Sequence, residues 1–150
     1  MSVRVDLRID DANWERALGD PAPLCEAAIL AGAAETRADG EIDLLLCGDG
    51  EMHALNKRFR GKDKPTNVLS FPADPIDAPS LGSIAIAYGV TADEASAAGK
   101  PLAAHLSHLL VHGFLHLVGH DHESDEDAAL MEGKERSALA RLGLPDPYSF

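Results

Sequence analysis

The chain has 150 residues, of which 45% are hydrophobic, and a chain of this size buries a core without disulfides or a structural metal. Its 25 acidic and 13 basic residues give a formal net charge of −12, which argues against broad, non-specific binding to nucleic acid. The start, MSVRVDLRID, is unlike a signal peptide, and no apolar run approaches the roughly 18 residues of a membrane span. We therefore predict one soluble, cytoplasmic domain over residues 1–150, with Cys25 and Cys47 as reduced core residues.

The first 90 residues are expected to contain four strands and two helices. Alternating charged and apolar residues in VRVDLRI indicate a half-buried strand, and the apolar run EIDLLLCG indicates an interior strand. The proline-rich ADPIDAPS is expected to be a surface loop. In chain order, the expected elements are a strand at 3–9, a helix at 24–37, a strand at 41–48, a helix capped by Asp49 and reaching about Arg60, a strand at 67–71 stopped by Pro72, and a strand at 81–89.

The last 60 residues are expected to be helical. Threonine and serine are good helix caps, and proline suits the first helical position. Gly119 is placed to end the longest of these helices. The expected helices run from the cap Thr91 to near Gly99, from Pro101 to about residue 118, and from the cap Ser124 to about Leu142. The whole pattern predicts an α+β fold.

Charge is distributed unevenly along the chain. The segment KRFRGKDK (57–64) has five basic residues and one acidic residue, a local net of +4, whereas residues 121–135 have seven acidic residues and one lysine, a local net of −6. A solvated helix end is the ordinary explanation for such a basic run. The alternative is a basic loop that binds phosphate groups on an otherwise acidic protein.

Histidines form a stripe on the longest predicted helix. His105, His108, His112 and His116 are spaced by 3, 4 and 4 residues, so they share one helix face. A single core histidine needs no function, but a stripe followed by His120 and His122 favours metal binding, for which imidazole is the commonest ligand.

Helix geometry limits which histidines can share an ion. His108 and His116 lie about 12 Å apart along a helix axis, too far for metal–nitrogen bonds of about 2 Å. The pair is therefore 108/112 or 112/116, and the second has an advantage because the chain can turn at Gly119 and return either His120 or His122. Three protein ligands with a position left for water are typical of catalytic zinc.

The helix pair also invites comparison with the H-E-x-x-H motif of metallopeptidases, in which glutamate is the general base. Gly113 occupies that position here, so a peptidase would lack its main proton acceptor. We interpret this glycine as removing bulk beside the ion, so that a phosphodiester can approach.

Two stretches resemble a known family. HGFLHLVGHDH (112–122) is similar to the H-G-x-L-H-L-x-G-[YH]-D-H signature of the YbeY family of bacterial metal-dependent endoribonucleases, and LNKRFRGKDKPTNVLSFP (55–72) resembles its second signature. The resemblance implies a mixed four-stranded sheet packed with about five helices, and a metal cleft at the long histidine-bearing helix. One departure is Ser83, where relatives commonly have aspartate.

The resemblance also implies site residues. His112, His116 and His122 match the family's metal ligands, usually taken to be a single zinc ion, and Arg60 matches an arginine thought to act in catalysis. His108 would support or pack beside His112.

The resemblance implies single-strand-specific cleavage of RNA in 16S rRNA 3′-end maturation and ribosome quality control, in which Arg60 assists metal-activated attack by water or by a ribose 2′-hydroxyl. Lys62 and Lys64 would bind flanking phosphates, Ser70 would lie on the strand lining the cleft, and Asp121 would orient an imidazole. The acidic body suggests weak affinity for free RNA and a protein partner, a ribosomal protein or a ribosome-associated GTPase. The alternatives are a zincin-like metallopeptidase and a non-catalytic ribosome assembly factor with a bound zinc.

Overall fold

A mixed four-stranded sheet forms the centre of the fold in the computed structural model, which describes residues 3–148. The spatial order is β1-β2-β4-β3, in which β1, β2 and β4 are parallel and β3 is an antiparallel edge strand. This confirms the expected α+β class and all four predicted strands. The strands are β1 (Val3–Ile9), β2 (Gly40–Cys47), β3 (Val68–Pro72) and β4 (Ser80–Ala87).

Six α-helices surround the sheet within residues 3–148. They are α1 (Asn13–Leu18), α2 (Ala22–Ala33), α3 (Asp49–Arg60), α4 (Tyr88–Ala97), α5 (Leu102–Leu117) and α6 (Asp125–Arg141). The predicted surface loop after β3 includes one 3₁₀ turn, Pro75–Asp77. Among these helices of residues 3–148, none has the length and apolar character needed to cross a bilayer.

Helix α1 is the element that the sequence did not predict. It is only six residues long, and a helix this short is not stable by itself in water. Trp14 holds it in place, because the side chain is fully buried and the indole Nε1 donates a hydrogen bond to the Cys47 carbonyl oxygen at 3.0 Å.

Two predicted helix caps are wrong. Gly48, not Asp49, is the N-cap of α3, and the Asp49 carboxylate instead accepts a hydrogen bond from the Val90 backbone N–H at 3.0 Å. Thr91 is buried inside α4, which begins three residues earlier after the N-cap Ala87. In both cases contact between α3 and α4 overrides the local capping preference.

Helix α5 lies against the sheet and is the most buried helix of the fold. Pro101 is its N-cap rather than its first residue, and the chain turns at Gly119 with a φ of +105°, as expected of a glycine that ends a helix. Leu106, Leu110 and Phe114 are fully buried in the main core. The opposite, histidine-bearing face remains partly exposed.

Gly113 lets α5 approach the sheet closely. A Cβ atom built there would lie 3.1 Å from Val68 Cγ2, 3.2 Å from Ile84 Cγ2 and 3.3 Å from Ser70 Oγ. The interpretation that this glycine makes room beside a metal ion is therefore wrong, because the missing side chain faces β3 and β4. The glycine sets the packing distance between the helix that carries the histidines and the strand opposite.

Candidate metal centre and active-site cleft

His112, His116 and His122 converge at the carboxyl end of α5. The first two lie one turn apart on the helix, and His122 returns from the connection to α6. Their ligand atoms all lie within 4.8 Å of one another, and the Nε2 atoms of His112 and His116 are 3.1 Å apart. Of the two possible third histidines, His122 is the one that joins this cluster.

Hydrogen bonds determine which nitrogen of each helical imidazole carries a proton. His116 Nδ1 lies 2.9 Å from the His120 carbonyl oxygen, which only accepts, so His116 donates from Nδ1. His112 Nδ1 lies 3.0 Å from Glu135 Oε1. Burial of the Glu135 carboxyl opposes ionisation, but hydrogen bonds from His108, His112 and Tyr148 outweigh it and lower its pKa to about 2, so this group also accepts.

An imidazole that carries its only proton on Nδ1 has its lone pair on Nε2, so in that form both rings can bind a cation through Nε2. A tetrahedral zinc site with bonds of about 2.0–2.1 Å places neighbouring nitrogens roughly 3.3 Å apart. The observed 3.1 Å separation fits such a site. Burial of His116, with a smaller contribution from neighbouring His112, lowers its pKa and favours the neutral, metal-binding form.

Glu135 of α6 is the functional residue that the sequence analysis missed. Its carboxylate is 1% exposed and accepts from His108 Nε2 at 2.7 Å as well as from His112. In the sequence it is one of the seven acidic residues of the charged segment 121–135. The available signal was its position among the apolar residues Met131, Ala138 and Leu139, which form the buried face of α6. His108 and His112 thus share one carboxylate.

A cleft of about 460 Å³ opens in front of the cluster. It brings Arg60, the last residue of α3, into the same cavity as the three histidines. Ser70 on β3 lines the opposite wall, where its hydroxyl donates to the Gly113 carbonyl oxygen at 2.8 Å. The remaining lining residues are Asn67, Val68, Pro72, Asp121 and Glu123, of which only Asp121 was predicted as a site residue.

Three other predicted residues have different surroundings. Lys62 and Lys64 are exposed in the loop after α3 and lie outside the residues that line the cleft. Asp121 lines the cleft, but its Oδ1 accepts from the Glu123 backbone N–H at 3.2 Å. The expected contact of Asp121 with an imidazole is not made at His112 or His116, whose Nδ1 atoms have the partners described above.

Comparison with known proteins identifies the family. The family model described as Endoribonuclease YbeY matches residues 22–143. The chain belongs to the YbeY family of endoribonucleases. A YbeY protein of Methylocella silvestris, named as an endoribonuclease, is 48% identical over 154 residues, which cover 99% of this chain and 87% of the relative. One from Rhodopseudomonas palustris strain BisB18, with the same name, is 56% identical over 131 residues, covering 83% and 77%.

A solved structure shows the same YbeY-like fold. A solution structure of a Thermotoga maritima protein superposes with a TM-score of 0.59, is 23% identical, and covers 99% of both chains. The family resemblance read from the two signatures is thus confirmed, and with it the assignment of this chain as an enzyme of the endoribonuclease family.

Ser83, the departure from the common YbeY pattern, lies away from the metal cleft. It lines a separate groove of about 580 Å³ together with Phe59 and Phe71, whose rings contact each other at 5.4 Å between centroids. The side chain of its neighbour Ile84 faces Gly113 of α5. Successive residues of a strand face opposite sides of the sheet, so Ser83 faces away from α5. The absence of aspartate at this position therefore removes no carboxylate from the histidine cluster.

Proposed function

We propose that this protein is a zinc-dependent endoribonuclease that cleaves single-stranded RNA in the cleft between α5 and β3. The observation that carries the proposal is the convergence of His112, His116 and His122, whose ligand atoms lie within 4.8 Å of one another, with the Nε2 atoms of the first two 3.1 Å apart. Arg60 shares their cleft. Membership of the YbeY family supplies the reaction class.

His112, His116 and His122 would hold the ion, leaving a coordination position open. A bound zinc ion would supply Lewis-acid chemistry at the scissile phosphodiester. Arg60 would bind the phosphoryl oxygens through its planar guanidinium and stabilise the charge that develops on them. Lys62 and Lys64, beyond the end of α3, would bind the phosphates on either side of the cleavage point.

The proposed substrate is the precursor of small-subunit rRNA in the cytoplasm, cut near its 3′ end. The support is the match to the two signatures together with the charge distribution. A net charge of −12 opposes binding of free RNA, whereas the basic segment 57–64 adjoins the cleft through Arg60. We therefore also propose that a protein of the small subunit, or a GTPase bound to it, delivers the RNA.

The first experiment compares four preparations, each incubated with zinc, on an rRNA fragment with a single-stranded 3′ extension. Wild type should cleave. His116→Ala should lose both zinc and cleavage. Arg60→Glu should retain zinc and cleave about 100- to 1000-fold more slowly, by analogy with the loss of one oxyanion-stabilising donor. Arg16→Glu, an equal charge change at an exposed position of α1, should behave as wild type.

Equal cleavage by all four preparations would contradict the proposal and point to a contaminating nuclease. The non-catalytic assembly factor would then be favoured, and normal rRNA maturation in cells carrying Arg60→Glu would support it. Casein should not be cleaved, because Gly113 occupies the position at which a zincin-type peptidase has its general-base glutamate. If wild type cleaved casein and His116→Ala did not, the metallopeptidase hypothesis would be favoured instead.

A further inference from the structure

A buried carboxylate behind the histidine cluster joins three donors from different parts of the chain. Glu135 Oε1 lies 3.0 Å from His112 Nδ1, while Oε2 lies 2.7 Å from both His108 Nε2 and the Tyr148 hydroxyl. The carboxylate is 1% exposed, so its charge is compensated by these partners rather than by water.

We infer that Glu135 is the positioning residue of the metal centre, setting the tautomer and ring orientation of His112; this rests on the metal centre of the proposed function. A carboxylate that accepts from Nδ1 keeps the proton there and leaves the Nε2 lone pair directed at His116. The His120 carbonyl oxygen fixes the tautomer of His116 in the same way, because it accepts from His116 Nδ1. The two ligands of α5 are thus oriented by different acceptors, one charged and one neutral.

The segment 146–148 holds this carboxylate in place. Tyr148 donates to it, and the Tyr148 ring lies edge-on to His108 with centroids 5.8 Å apart. Arg136, on the next position of α6, pairs with Asp146 at 3.0 Å and lies over the Tyr148 ring at 5.4 Å. This segment therefore packs over Glu135 and, through Glu135, supports His112.

A second cation bound by His108, His112 and Glu135 is the competing interpretation, because their ligand atoms are also close together. A neutral imidazole has only one lone pair, so His112 cannot bind one ion through Nε2 and another through Nδ1. Tyr148 also already donates to the oxygen that faces His108. The group therefore acts as a hydrogen-bonded support.

Glu135→Gln tests the inference. The amide keeps the size of the side chain, but its single oxygen cannot accept from both histidines, so we expect His112 to shift toward the tautomer protonated at Nε2. Nitrogen-15 NMR of histidine-labelled protein without metal measures this directly. Competition with a chromophoric chelator should show zinc binding weakened about 10- to 100-fold. Glu126→Gln, at an exposed position of the same helix, should change neither readout.

The inference is overturned if wild-type His112 carries its proton on Nε2, or if Glu135→Gln leaves the tautomer and the zinc affinity within twofold of wild type. A purely structural role would lower the melting temperature without these changes. Should Glu135→Gln not fold, Tyr148→Phe decides: it should weaken zinc binding several-fold, and unchanged binding overturns the inference. Wild type that binds zinc but does not cleave RNA would overturn the proposed function alone.

Discussion

At the scale of single residues, identical side chains on one helix face have different roles because their partners differ. His105 contacts Glu94 at 2.9 Å, on the side of α4, and takes no part in the cluster. His108 contacts the buried Glu135, whereas the Nε2 atoms of His112 and His116 face each other at 3.1 Å. The stripe in the sequence therefore marks the face of the site, whereas the acceptor behind each ring determines what that ring does.

The two cysteines give a prediction at the same scale. Both are buried and free, as expected from the sequence, and burial raises the pKa of each thiol to about 12. At pH 8 both thiols should stay protonated and inaccessible, so Ellman's reagent should modify them only after denaturant is added. Rapid modification of either Cys25 or Cys47 in the native protein would contradict this.

At the scale of secondary-structure elements, the cleft depends on the contact between α5 and β3. The Gly113 carbonyl accepts from Ser70, and the absence of a Cβ atom lets the helix approach Val68 and Ile84. Val68 and Ile84 are β-branched and stiff, so they have little freedom to move aside. Arg60 and the histidines share a cleft because this edge strand is held tightly against the helix.

Gly113→Ala should therefore destabilise the protein. Alanine gains up to about 1 kcal/mol of helix propensity over glycine, but overpacking against the sheet costs about 1–3 kcal/mol. We expect a net loss of about 1 kcal/mol in the free energy of unfolding, measured by urea denaturation. Gly133→Ala is the matched control, because nothing lies within 4 Å of its Cβ position on α6, and it should stabilise. Stabilisation by both variants would show that packing at Gly113 is not limiting.

The start of α6 is a second element whose stability is testable. Ser124 is its N-cap, as predicted, and its hydroxyl accepts from the Asp127 backbone N–H at 3.0 Å. Ser124→Ala should lower the free energy of unfolding by about 1 kcal/mol, whereas Ser124→Gly should cost only a few tenths. Equal losses in urea denaturation would indicate that the hydroxyl does not cap the helix.

At the scale of the whole molecule, charge is separated between an acidic body and the basic segment 57–64. The three basic residues in the last turn of α3 include Arg60, which lines the cleft. Positive charge at a helix C-terminus is also favourable for the helix itself. The protein thus combines overall repulsion of RNA with local attraction at the cleft, an arrangement that opposes non-specific binding.

This arrangement predicts a measurable salt dependence. In a His116→Ala background, which should bind but not cut, the logarithm of the RNA affinity should fall linearly with the logarithm of salt concentration. Replacing both Lys62 and Lys64 with glutamine should weaken binding and reduce the slope by about 1.4, or about 0.7 for each phosphate contact on single strands. Lys100→Gln, outside the basic segment, should leave the slope unchanged. An unchanged slope in the double variant would remove both lysines from the RNA-binding surface.

Local patterns in the sequence were sufficient to predict most of the strands and helices of this protein. Strand alternation, apolar runs and the Gly119 turn predicted the four strands and five of the helices, since each depends on residues close together in sequence. The i, i+4 spacing of His112 and His116 follows from helix geometry alone. The two signatures added two residues. Spacing alone left His120 and His122 as alternatives for the third ligand, and it did not select Arg60.

Only the tertiary structure decided what surrounds those residues. Glu135 supports His112 from a different helix, 23 residues away, and Tyr148 reaches it from the end of the chain. The packing role of Gly113 and the displaced caps at Asp49 and Thr91 likewise depend on neighbours from other elements. Spacing determines which side chains share a face, but which acceptor or strand meets that face depends on how the helices pack on the sheet.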